Sequence, residues 1–185
     1  MLESAERSLA VSGVTIRVGT DASETIAGYG AGGYTPDATH VYLHVDLNHT
    51  DLGAVYQDRL PLLMAHELHH AMRWRDPGYG KTLFEAMISE GMADHFAIET
   101  VGGSPPPWSS AFPSDSTAYY TDVARSEFDW EDYDHARWFF GTDPALPRWT
   151  GYTLGYRYVE AYLLAHAGTT AAGLVGAPAS AFRPN

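Results

Sequence analysis

Cysteine is absent from the 185 residues, which excludes disulfides, thiolate metal sites and cysteine nucleophiles. Any metal held by this chain must use His, Asp or Glu. Positive charge is scarce: 11 Lys and Arg stand against 23 Asp and Glu, a formal charge of -12, which repels nucleic-acid phosphates and anionic lipid surfaces. Neither nucleic acid nor membrane is expected as a partner. No run approaches the about 18 apolar residues of a membrane span, so a soluble chain is expected. The opening Met1-Leu2-Glu3-Ser4-Ala5-Glu6-Arg7 has neither the basic start nor the apolar stretch of a secretory signal, and the cytoplasm is the default expectation. What the chain does have is 45% hydrophobic and 13% aromatic residues, enough to fill the core of one domain without covalent staples.

Val14-Thr15-Ile16-Arg17-Val18 alternates as a strand does. From Thr39 to Leu47, Val41, Leu43, Val45 and Leu47 fall on one side and His40, Tyr42, His44 and Asp46 on the other, the pattern of a half-buried strand. Between them, Gly28, Gly30, Gly32 and Gly33 followed by Tyr34-Thr35-Pro36-Asp37 predict a loop. Pro61 suits the first turn of a helix capped by Asp58 and running through Met72 to the turn at Asp76-Pro77-Gly78. Thr82 and Glu85 form a capping box for a second helix, which ends at Val101 before Gly102-Gly103. Further helices are predicted near Ser116 to Phe128, from Glu131 to Phe140 and from Tyr152 to Ala167. From about residue 168 the chain holds few large apolar residues, and a loose tail is expected.

Within the first of these helices lies His66-Glu67-Leu68-His69-His70. Four residues advance a helix by about 400°, so His66 and His70 project about 40° apart, one turn along the same face. Two imidazoles can then reach one ion. Glu67 lies about 100° round from His66, beside the metal face, where a carboxylate can take a proton from water. In the second helix, Ser89-Glu90-Gly91-Met92-Ala93-Asp94 supplies the third protein ligand that a catalytic zinc needs, since two His and one Glu form a known catalytic set with an open fourth position. Asp94 sits one turn beyond Glu90, placed to accept the free ring N–H of a ligating histidine and fix its tautomer. His69 faces away from Glu67 and is expected to pack. His40 and His44 share a strand face that reads as an ordinary polar one.

The arrangement resembles that of the gluzincins, the thermolysin-like metallopeptidases, in which H-E-x-x-H is followed about twenty residues later by a helix-borne glutamate ligand and, one turn on, an aspartate. Together with Pro107-Trp108 and Gly151-Tyr152-Thr153-Leu154-Gly155-Tyr156, these motifs are similar to a bacterial family of predicted zinc-dependent proteases filed as a domain of unknown function. The resemblance spans roughly Gly28 to Leu164 and implies a Zn2+ cofactor, peptide hydrolysis and a peptide or protein substrate. It also implies substrate bound as an added strand along a sheet edge, for which the alternating strand from Thr39 to Leu47 is the candidate.

The expected fold is α+β and zincin-like: one domain with a small edge-exposed sheet packed on two metal-site helices, and a mainly helical C-terminal part. Zinc peptidases also need a donor for the oxyanion that forms on the attacked carbonyl. Tyr152 and Tyr156, four residues apart at the start of the last helix, are the candidates, with Arg148 and His135 as alternatives. The same tyrosines could equally be core, with Gly151 and Gly155 present only for close helix packing. Trp130, Trp138 and Trp149 leave room for an apolar subsite. Two other readings stay open: a zinc-bound peptide-recognition module without turnover, which the retained Glu67 argues against, and a metal-free helical scaffold.

Overall fold

The computed structural model describes residues 11–184, and the N-terminal stretch inspected for a signal lies outside them. The described chain is α+β with a three-stranded sheet. It divides into two compact units: the first runs to Gly78 and takes back Phe96–Gly103, and the second comprises Tyr79–His95 and the residues from Ser104 onward. No helix among the described residues is long and apolar enough to cross a membrane.

In the first unit, β1 (Thr15–Gly19), β2 (Ala31–Asp37) and β3 (His40–Val45) form a sheet in the order β1-β3-β2. β1 runs parallel to β3, and β2 runs antiparallel to it. The alternation in β3 holds, with Val41, Leu43 and Val45 buried and His40, Tyr42 and His44 half-buried on the other face. Each of the three buried side chains stabilises the unit by roughly 1.5–3 kcal/mol relative to exposure.

Two expectations are corrected here. The strand from Thr39 to Leu47, expected at an open edge, is central, because β1 takes one of its sides and β2 the other. The glycine-rich run with Tyr34 to Asp37, expected as a loop, is largely β2. Glycines carry no side-chain alternation, and the ladder that β2 forms with β3 is made by backbone groups that a hydropathy pattern does not reveal. A register shift between Tyr34 and Asp37 accommodates Pro36, which has no N–H to give.

A one-turn helix, Leu52–Ala54, and a π-turn, Val55–Arg59, lead directly into α1 (Leu60–Arg73). The cap is therefore Asp51, whose carboxylate accepts from the Ala54 N–H at 3.0 Å, and not Asp58. α1 packs on β2 and β3, and from Ala65 to Arg73 every residue is buried. Just past its end, Trp74 Nε1 donates to the Thr35 carbonyl of β2 at 2.9 Å, tying the helix to that strand.

Helix α2 (Leu83–Val101) contributes residues to both units. Its start is the predicted capping box: Glu85 Oε2 accepts from the Lys81 and Thr82 N–H groups at 2.8 and 3.0 Å, and Thr82 Oγ1 accepts from the Glu85 N–H at 3.3 Å. The second unit adds α3 (Thr117–Arg125) and α4 (Thr150–Ala165). Of the helix expected from Glu131 to Phe140, a π-turn, Ala136–Phe140, forms, ended by the left-handed Gly141. Phe84, Met87, Phe128, Trp138, Phe139 and Leu154 lie in the core of this unit. α2 and α4 cross backbone to backbone: a Cβ at Gly155 would overlap the Met87 carbonyl, and one at Gly91 would overlap the Gly155 backbone. Gly155 thus serves close packing. The residues after 168, expected to be loose, place Leu174, Ala179 and Phe182 in the same core through two short 3-10 turns, because a few apolar side chains suffice to seat a segment of low average hydropathy.

Candidate metal centre

On α1, His66 and His70 stand one turn apart with their Nε2 atoms 2.9 Å from each other. Their rings meet edge to face, 4.6 Å between centroids, and both residues are buried. His69 packs against Phe96 with ring centroids 5.5 Å apart, as the helical spacing predicts for a residue off the metal face.

Glu67 leaves α1 toward β2. Thr35 Oγ1 lies 2.7 Å from Glu67 Oε2, to which it donates, and 3.1 Å from the Glu67 carbonyl. A Cβ on Gly33 would come within 2.6 Å of Glu67 Oε1 and 2.7 Å of its Cγ, so only glycine lets the strand pass this close. β2 therefore holds the carboxylate at one oxygen and leaves it room at the other.

On α2, Glu90 is buried and accepts at Oε1 from the Tyr79 hydroxyl at 2.6 Å. Burial, and then the Glu90 charge, push the Tyr79 pKa well up, so the phenol remains a donor. Asp94 accepts from Trp108 Nε1 at 3.1 Å and from Ser109 Oγ at 2.6 Å. Thr153 Oγ1 in turn donates to the Trp108 carbonyl at 2.7 Å, linking α2 to α4 through the Pro107-Trp108 segment.

His66, His70 and Glu90 each offer one ligand atom, and these atoms all lie within 4.8 Å of one another. Metal–ligand bonds of about 2.0–2.1 Å place tetrahedral donors about 3.4 Å apart, a separation that the 2.9 Å nitrogen pair and the 4.8 Å limit bracket. Two imidazoles and one carboxylate, in a chain with no thiolate to offer, suit zinc and leave a coordination position open. Among the described residues no other group of three such side chains converges in this way. His40 instead pairs with Asp37 at 3.1 Å.

The remaining candidates lie in the second unit. Tyr152 packs against Phe139 and Trp108, with ring centroids 5.0 and 6.4 Å away. Tyr156 stacks on His95 at 4.0 Å, and burial, then Glu160 and Asp94, push its pKa up to about 12. Arg148 lies over the Trp149 ring. The Tyr133 hydroxyl and His135 Nδ1 are 3.1 Å apart. Burial and then the Glu90 charge raise the Tyr133 pKa to about 12, while burial lowers that of His135 against the opposing pull of Glu90. Of the tryptophans expected near an apolar subsite, Trp138 belongs to the core, with Nε1 donating to Glu127, whereas Trp130 is exposed. Thr35, Gly33 and Tyr79 were not singled out by spacing: the first two sit in the stretch expected as a loop, and Tyr79 lies in a turn that no motif includes.

The buried cluster of His66, His70 and Glu90, set in an α+β chain, is compatible with zinc, and two His with one Glu are among the known ligand sets of catalytic zinc. Residues 10–183 match the family described as predicted Zn-dependent protease (DUF2268), and the chain belongs to that family. No curated protein and no solved structure matches it.

Proposed function

We propose that the protein is a zinc peptidase of the gluzincin kind, with His66, His70 and Glu90 as metal ligands and Glu67 as general base. The observation that carries this reading is the convergence of one ligand atom from each of His66, His70 and Glu90, all buried, to within 4.8 Å of one another, with Glu67 adjoining His66 in the chain. Zinc, when bound, supplies Lewis-acid polarisation of the scissile carbonyl and a water acidified to near-neutral pKa. Glu67 takes the proton of the attacking water at Oε1, the oxygen that Thr35 does not hold, and returns it to the departing amine. Because β3 is paired on both sides, the strand offered to an extended substrate is β2, which no other strand pairs on its outer side among the described residues and whose Gly33 backbone, beyond the Ala31 carbonyl that accepts from the Ile26 N–H, is exposed beside Glu67.

Metal analysis of protein purified without added zinc, paired with assay on a mixed peptide library, tests the proposal. Zinc near one equivalent with cleavage supports it. Zinc without cleavage would favour a peptide-recognition module, and no zinc would remove the reading altogether.

Asp94, one turn beyond Glu90 on α2, is proposed to steady that helix at the site through its hydrogen bonds to Trp108 and Ser109. Asp94→Asn is expected to weaken zinc affinity or activity by about 10- to 100-fold; unchanged values in a chelator titration and a peptidase assay would reduce it to a packing residue. For the oxyanion we propose Tyr152, with Tyr156 second because its ring is stacked flat on His95. Tyr152→Phe is expected to lower kcat by roughly 10- to 10³-fold with KM and zinc content nearly unchanged. If neither this variant nor Tyr156→Phe alters kcat, the role passes to His135 with Tyr133.

A further inference from the structure

We propose that Tyr79 is a positioning residue for Glu90, setting its carboxylate for metal through the hydrogen bond from the Tyr79 phenol to Glu90 Oε1. The inference rests on the zinc reading above but names a residue that the ligand motifs do not contain. A glutamate has three side-chain torsions, and a ligand of that length needs an outside partner to fix the plane of its carboxylate before an ion arrives. The bond to Tyr79, at 2.6 Å, is such a partner. Tyr79 is itself held at its other end, since the neighbouring Ser89 hydroxyl donates to the Tyr79 carbonyl. Consecutive residues of α2 therefore grip one tyrosine at its backbone and at its hydroxyl, and the phenol reaches Glu90 from a fixed base.

The chemistry of the donor matters as well. A buried carboxylate without a partner is costly, so some donor is required. A lysine or arginine in this place would neutralise the charge that makes Glu90 a good ligand. A phenol donates one hydrogen bond and stays neutral, so it orients the carboxylate and leaves its charge for the metal.

The test compares wild type, Tyr79→Phe, Ser89→Ala and His70→Ala by chelator competition for zinc, with melting of each metal-free protein alongside. Tyr79→Phe is expected to bind zinc about 10- to 100-fold more weakly while its metal-free form melts near wild type. A merely structural role would do the reverse, lowering the metal-free melting temperature and leaving zinc affinity intact, and that result overturns the proposal. Should Tyr79→Phe fail to fold, Ser89→Ala decides: it keeps the phenol but loosens its base, so weaker zinc binding supports the positioning role and unchanged binding overturns it. Wild-type affinity in Tyr79→Phe, with zinc lost in His70→Ala, sinks the Tyr79 proposal alone. Absence of zinc binding by the wild type sinks both this proposal and the function on which it rests.

Discussion

Glutamine in place of Glu67 is expected to leave zinc bound and to lower peptide hydrolysis by about 10²-fold or more, the usual scale of general-base catalysis. The amide has the size of the carboxylate, and its oxygen can still accept the Thr35 hydroxyl now 2.7 Å from Oε2, so the side chain has reason to stay where β2 holds it. The tight passage of Gly33 beside it demands no more space from an amide than from an acid. What is lost is the ability to take a proton. Zinc content and kcat of Glu67→Gln are the two measurements, and full activity in a zinc-loaded variant would mean that the base is another group.

Alanine at His66, His70 or Glu90 is expected to have an effect of a different kind: each variant should lose stoichiometric zinc, and with it hydrolysis. A three-ligand site has none to spare, since the fourth position must remain open to water and substrate. The thermal consequence follows by mass action, because a ligand that binds only the folded state stabilises it in proportion to the logarithm of its concentration over Kd. Added zinc should therefore raise the melting temperature of the wild type and leave these three variants nearly unmoved. One equivalent of zinc retained by any of them would remove that residue from the ligand set.

The two expectations separate the parts of the site. If the proposed roles hold, loss of the base is expected to leave a loaded but slow protein, and loss of a ligand an empty one. Glu90→Ala has a further consequence in the second unit, since it strips Tyr79 of the acceptor 2.6 Å from its hydroxyl. Glu90→Gln, which keeps an acceptor oxygen for Tyr79, is the better comparison where folding is in question.

Much of this was legible in the chain. The spacing of His66 and His70 places both on one helical face by the 3.6-residue period alone, and the capping box at Thr82 and Glu85 marks where the next helix begins. The alternation from Val41 to Val45 identifies a half-buried strand. These are local patterns, set by residues within a few positions of each other. The strand formed by Gly32, Gly33 and Tyr34 was not legible, because its evidence is a backbone ladder and not a side-chain pattern. The central position of β3 was not legible either: alternation reports which face is buried and says nothing of how many neighbours a strand has.

By itself the sequence determined which side chains are able to hold a metal. With no cysteine, any metal had to be held by His, Asp or Glu, and H-E-x-x-H on a helix puts two nitrogens on one face and a carboxylate beside them. Tertiary structure alone decided what holds that carboxylate and the carboxylate of Glu90. Thr35 meets Glu67 across 32 positions of chain, and Tyr79 meets Glu90 across 11, from a turn outside the helix. Helical periodicity determines directions only within its own helix, whereas a hydrogen bond between elements depends on how they pack, and packing is set by the shapes of many side chains at once.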